Sequence, residues 1–174
     1  MMNGDIDKRK EIFVFHILFV CHGNICRSPM AEFVMKDLVQ KAGLSEQIAV
    51  ESRACRTDDL GSDTYSGTKR VLREHGIPFT KRAARLVRAD DYDKYDVIIG
   101  MDEENMRDLQ RLTHGDPKQK YHLLMSYAGK SREVADPWYT GDFETTYRDV
   151  VLGCRALLEN LQAQLKRKKA VHNA

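Results

Sequence analysis

Short, largely apolar runs alternate with amphipathic ones along this chain. The pattern predicts an α/β fold: a single three-layer domain, with a central parallel sheet of about four strands and helices on both faces. The run at residues 12–21 is rich in Ile, Phe, Val and Leu, is too short for a typical helix and ends in a polar loop, as a strand buried on both faces does. Further units of strand followed by helix come after it. A length of 174 residues suits one substantial core and is too short for two ordinary domains.

In chain order, the strand at 12–21 is expected at the centre of the sheet. Ser28-Pro29 supplies an N-cap residue followed by proline at the first helical position. Ala31, Val34, Leu38 and Ala42 then carry the apolar stripe of a helix that Gly43 ends. Residues 48–52 read as a second strand, and 64–75 as a helix closed by Gly76. Residues 95–101, with Val97, Ile98 and Ile99 inside, form a third buried strand that ends at Asp102, and a helix follows over 103–112. From 113 to 139 the turn formers Gly115, Asp116, Pro117, Gly129, Asp136 and Pro137 surround a short apolar segment at 121–125, so this part is irregular. Asp142 caps a last helix, in which Phe143, Tyr147, Val150, Val151, Cys154, Leu157, Leu158, Leu161 and Leu165 recur at helical spacing and face the core.

Composition excludes several classes of protein. Hydrophobic residues at 42% and charged residues at 31% are ordinary globular values, and 28 basic against 26 acidic side chains give no argument for nucleic acid. The apolar run at 12–21 is interrupted by His16 and is about half the roughly 20 residues a membrane-spanning helix needs. Residues 1–11 mix Asp5, Asp7, Lys8, Arg9, Lys10 and Glu11, and no small-residue cleavage site follows. They read as a flexible leader on a chain that stays in the cytoplasm, with no membrane partner. The domain is expected over 12–165. Lys166-Arg167-Lys168-Lys169 opens a basic tail over 166–174, whose cations complement a helix C-terminus. Cys21, Cys26, Cys55 and Cys154 are too few and too scattered for a disulfide scaffold. With no second cysteine pair and no His-x-x-x-His spacing, neither metal nor any other cofactor is expected.

The chemistry concentrates after the first strand, in Cys21-His22-Gly23-Asn24-Ile25-Cys26-Arg27-Ser28-Pro29. A tight loop there meets a helix N-terminus, which is an anion site. Gly23 and Asn24 tolerate left-handed backbone, so successive N–H groups from about Gly23 to Arg27 turn inward as a nest. A phosphate monoester carries nearly two negative charges, and a cradle of amides plus the bidentate Arg27 guanidinium matches it. The same field favours an anionic sulfur on Cys21. Cys26, a second thiol nearby, either pairs with Cys21 on oxidation or packs behind the loop.

These residues resemble the low-molecular-weight protein tyrosine phosphatases, whose opening strand runs into Val-Cys-x-Gly-Asn-x-Cys-Arg-Ser-Pro, matched here by residues 20–29. Ala31-Glu32, Gly76-Ile77-Pro78 and Met101-Asp102 continue the match. Asp136-Pro137-Trp138-Tyr139, followed by Asp142-Phe143-Glu144, resembles the family's acid loop. The resemblance implies Cys21 as nucleophile, Arg27 as phosphate clamp and Asp136 as general acid. His22, Gly23, Asn24, Ile25, Cys26 and Ser28 would line the substrate's anion loop, and the Ser28 hydroxyl would bond the thiolate. Asn24 and Ser52 would brace the loop. Trp138 and Tyr139 would flank an aromatic ring, with Tyr139 alternatively a phosphorylation target or a packed aromatic. The implied substrate is a phosphotyrosine-containing protein or an aryl phosphate, cleaved through a cysteinyl-phosphate without metal, with inorganic phosphate or vanadate as inhibitors.

Two segments depart from the family pattern. After Ser52, where many relatives have small residues and then an aromatic pocket wall, Arg53-Ala54-Cys55-Arg56-Thr57-Asp58-Asp59 puts a charged residue near Asp58. Lys81-Arg82-Ala83-Ala84-Arg85 stands where the family's His-x-Ala-Arg is expected. Both changes leave the phosphate chemistry intact and bear on peptide preference. Relatives that hydrolyse phosphoarginine carry a hydroxyl residue at the position of Ile25, and a branched apolar side chain suits an aromatic substrate better. A thiol-linked arsenate reductase uses a similar loop and passes oxidation along further cysteines. Residues 81–88, about where such relatives place those thiols, contain none.

Overall fold

The computed structural model describes residues 13–174; the leader at 1–11 and the first residue of the expected first strand lie outside the described residues. The first strand, β1 (Phe15–Cys21), pairs in parallel with β2 (Ile48–Ala54) on one side and β3 (Val97–Gly100) on the other. The short β4 (Tyr121–Leu123) adds to β3, giving the order β2-β1-β3-β4, parallel throughout. Ile17, Leu18, Phe19 and Val20 are all fully buried, which explains the unbroken apolar run. Their alternation divides them between two cores. Ile17 and Phe19 face Met30, Val34 and Leu157, while Leu18 and Val20 face Val87, Tyr92 and Leu109. Each such side chain contributes about 1.5 to 3 kcal/mol by leaving water.

The helices are α1 (Arg27–Lys41), α2 (Ser66–Glu74), α3 (Asp91–Lys94), α4 (Glu103–Thr113), α5 (Pro137–Thr140) and α6 (Phe143–His172), with a 3-10 helix at Leu124–Ala128. α1 and α6 cover the first core and α4 the second, so helices lie on both faces of the sheet as expected. Gly43 and Gly76 close α1 and α2 with left-handed backbone, φ +70° and +68°. α4 starts at a reciprocal capping box between Asp102 and Asn105, and the Asp142 side chain caps α6 by accepting from the Thr145 N–H.

Several boundaries differ from the sequence reading. β2 runs two residues past Ser52, because its pairing with β1 continues to Cys21 opposite Ala54. Neither α3 nor α5 has enough residues for a periodic signal, and α5 begins at Pro137 among the turn formers. α6 runs through Lys166-Arg167-Lys168-Lys169 to His172, so the basic stretch is helical. At Gly153, α6 comes so close to the 3-10 helix that a Cβ there would lie 2.5 Å from Leu124 Cγ. Among the described residues no helix is long and apolar enough to cross a membrane.

Candidate active site

Cys21 closes β1 and is almost fully buried, at the point where residues 22–26 turn into α1. Its Sγ lies 3.0 Å from Ser28 Oγ and accepts from the Ser28 N–H at 3.4 Å. Ser28 is not the N-cap the sequence suggested. The helix begins at Arg27, with Cys26 in the cap position and no side-chain cap bond. The Ser28 hydroxyl is committed to Cys21 and to Asn24 Nδ2, at 2.8 Å, and so cannot serve the helix end.

Of the two loop residues chosen for left-handed backbone, only Asn24 adopts it, at φ +59°. Gly23 lets the Asp59 carboxylate lie close: a Cβ there would sit 2.3 Å from Asp59 Oδ2, so that side chain would have to swing away. Asn24 is fully buried behind the loop. Its Nδ2 donates to both Ser28 Oγ and Ser52 Oγ (2.9 Å), and Asn24 is not among the residues that line the cavity described below.

Arg27 is held from behind. Nη1 donates to Asp102 Oδ2 at 2.7 Å and to the Val134 carbonyl at 3.0 Å, while Nη2 reaches Asp136 Oδ2 at 3.3 Å. Burial pulls its pKa down, and Cys21, Asp136 and Asp102 together more than reverse that, leaving it above the ordinary guanidinium value. Asp136 caps α5 through a bond from the Trp138 N–H to Oδ1 at 3.1 Å. The loop carrying Asp136 is tied down by Val134 N–H to Met101 O (3.0 Å) and by Thr146 Oγ1 to Ala135 O (3.1 Å). Arg132 adds a two-pronged pair to Asp149 at 2.6 and 2.7 Å.

Cys21, His22, Gly23, Ile25, Cys26, Arg27 and Asp136 line one cavity of about 300 Å3, and Asp58, Asp59, Trp138 and Tyr139 line it too. Trp138 leans edge-on against Tyr65 at 5.3 Å, and Tyr65 stacks on Phe143 at 5.6 Å, while Tyr139 is exposed. His22 Nε2 lies 2.7 Å from Asp58 Oδ2, which latches the segment after β2 to the loop. Burial, with Cys21 and Asp136 adding to it, pushes the Cys26 thiol up to about 12 and keeps it protonated at neutral pH.

Sequence reasoning missed two contributors. In the sequence Asp102 reads only as the residue ending a buried strand and as part of the Met101-Asp102 match. In the fold, Oδ1 caps α4 and Oδ2 anchors Arg27, so both of its oxygens are engaged. Arg82 was seen as a departure from a pattern, and it reaches the back of the loop, donating to the Asn24 carbonyl at 2.8 Å and to Asn24 Oδ1.

A family model described as low molecular weight phosphotyrosine protein phosphatase matches residues 16–170. The chain belongs to this family. It is 39% identical over 150 residues to the low molecular weight protein-tyrosine-phosphatase YfkJ of Bacillus subtilis, covering 85% of this chain and 96% of that protein. It is 40% identical over 148 residues to the low molecular weight phosphotyrosine protein phosphatase of Homo sapiens, covering 82% and 93%. The crystal structure of YfkJ superposes with a TM-score of 0.83 at 38% identity, over 87% of this chain and 96% of that one. This phosphatase family is one of cysteine-dependent hydrolases, and the four-stranded parallel sheet flanked by helices is its fold.

Proposed function

We propose that this phosphatase hydrolyses phosphotyrosine through a cysteinyl-phosphate on Cys21. The observation that carries the proposal is the convergence of a buried thiol, a helix N-terminus, an anchored guanidinium and a carboxylate on one cavity. The phosphoryl oxygens sit in the N–H nest and on the Arg27 fork, in competition with Asp136, whose proton is then directed at the leaving oxygen. The Cys21 sulfur attacks phosphorus. The P–O bond to the ring breaks, and Asp136 gives its proton to the departing phenolate oxygen. A water oxygen then attacks phosphorus, its proton goes to Asp136, and the S–P bond breaks to release phosphate and the thiolate. Trp138 and Tyr139 flank the substrate ring, and Ile25 gives the wall an apolar surface suited to it. The enzyme works in the cytoplasm on phosphotyrosine-containing proteins, and phosphate and vanadate compete for the loop.

A turnover assay on phosphotyrosine, phosphoserine and phosphoarginine peptides, run beside arsenate with thiols, tests this reading. Phosphotyrosine should be the preferred substrate, and equal or better turnover of phosphoarginine or arsenate would overturn it. Cys55 and Cys154, the thiols a reductase relay would draw on, are buried and pushed well above the ordinary thiol range by desolvation. Cys21→Ser should abolish turnover and keep vanadate binding, measured by titration, because the nest and Arg27 remain.

A further inference from the structure

Ile25 on the anion loop and Trp138 on α5 both line the catalytic cavity, yet they come from distant parts of the chain. Tyr65, the residue before α2, touches both. Its backbone N–H donates to the Ile25 carbonyl at 2.8 Å, and its ring meets Trp138 edge-to-face, with centroids 5.3 Å apart and planes at 69°. On its other side the Tyr65 ring stacks on Phe143 at 5.6 Å and 19°. Phe143 is buried with Cys26 and Val71 in a small cluster against which Ile25 also packs. Gly67, in the first turn of α2, makes way for it: a Cβ there would lie 2.5 Å from Phe143 Cζ. Both apolar walls of the cavity therefore rest on one support, and Tyr65 is the piece between them. Trp138 is 59% exposed, and the bond from its N–H to Asp136 fixes its backbone without fixing its ring.

We propose that Tyr65 is a positioning residue that sets the slot for the substrate's aromatic ring: it holds the Trp138 indole at a fixed separation from Ile25, and so favours aryl over alkyl phosphates. The role rests on the reading that Trp138 and Ile25 flank that ring. An exposed indole without support would have to be immobilised as substrate bound, and a neighbouring ring removes that cost in advance. Edge-to-face and offset-stacked pairs at these centroid distances are the arrangements aromatic rings prefer, so the order Trp138, Tyr65, Phe143 is a stable one. The phosphoryl group itself is left to the N–H nest and Arg27. Tyr65 thus contributes to recognition of the organic part of the substrate and adds nothing to the grip on phosphate.

Trp138 is the only tryptophan in the chain, so its fluorescence reports on this wall alone. In Tyr65→Ala, time-resolved anisotropy should show wider and faster motion of the indole, and acrylamide should quench it more readily. Tyr65→Phe keeps the ring and should match wild type in both. Calorimetric titration reads the slot without turnover. Benzylphosphonate should bind Tyr65→Ala about two- to tenfold more weakly than wild type, the range an aromatic pair is worth. Methylphosphonate, which offers a similar anion without a ring, should bind both equally. In a Trp138→Ala background Tyr65→Ala should cost benzylphosphonate nothing more, because Tyr65 acts through Trp138. Thermal unfolding identifies a variant that fails to fold, and Tyr65→Leu, which keeps apolar bulk without a ring, then carries the same expectations. Unchanged anisotropy in the folded variant, an equal loss for the two phosphonates, or a further loss in the Trp138→Ala background would each overturn the proposal. The equal loss would mean that Tyr65 supports the anion loop instead. A wild type that binds benzylphosphonate and leaves phosphotyrosine uncleaved would sink the proposed function while the slot remained readable.

Discussion

The polar residues of the site hold their positions through specific partners, and Asp136 shows how much this matters. It is placed by a cap bond from Trp138 and by the Arg27 edge, and its proposed duty is to protonate a phenolate. General acid catalysis typically supplies roughly 10²- to 10⁴-fold, so Asp136→Asn should slow phosphotyrosine cleavage by about that factor. The defect should shrink as the leaving group becomes more acidic. A series of aryl phosphates, measured where cysteinyl-phosphate formation limits the rate, checks this, and a constant loss across the series would make Asp136 only a turn residue. Asp102 is bound at both oxygens, which suits it to aiming Arg27.

At the scale of elements, two contacts lend themselves to measurement. Gly153→Ala would gain about 1 kcal/mol of helix propensity in α6. It would also press a methyl to 2.5 Å from Leu124, a fully buried side chain, and overpacking of that kind costs about 1 to 3 kcal/mol. The clash should win, and urea unfolding should show a lower midpoint with an unchanged slope. The second contact is the Asp63 carboxylate, which takes Lys69 Nζ at 2.6 Å and the N–H groups of Thr64 and Arg82. The Lys69 bond comes first among the causes that bring its pKa from 3.8 to about 2. A depressed carboxylate contributes stability that is present above the unfolded value and lost as pH falls through the folded one. Asp63→Asn should therefore be less stable than wild type at neutral pH and lose less stability between about pH 4 and pH 2, by thermal melts across that range.

Across the whole molecule, what was legible in the sequence was local. A cysteine at a strand end, an asparagine able to turn left-handed, an arginine and a Ser-Pro helix start each make conformational demands on their immediate neighbours, so strand, loop and helix could be read together. Apart from Ser52, which the family resemblance supplied, the supports of the loop were illegible, because they come from far along the chain. Asp102 is 75 residues from Arg27, Arg82 is 58 from Asn24, and Asp136 is 109 from Arg27. Only Asp136 carried a local motif, its Asp-Pro-Trp-Tyr, that allowed it to be found. The far end of α6 marks the opposite limit, since 30 residues make a helix about 45 Å long and its last turns leave the core behind. Removing residues 166–174 takes away exposed side chains and the Lys168 contact over Phe13. Turnover should be unchanged and the melting temperature nearly so; a large fall in either would show that the end of the helix is part of the domain.

The parallel arrangement around β1 also governs when activity can first exist. Both neighbours of β1 reach it only after a crossover, and Arg27 is aimed by Asp102 and by the Val134 carbonyl. A growing polypeptide on the ribosome therefore holds Cys21 and Arg27 for most of its synthesis without the partners that align them. Contacts this distant in sequence form slowly, because loop closure must precede them. The site cannot be assembled until the segment around residue 136, which follows the last strand of the sheet, has left the exit tunnel.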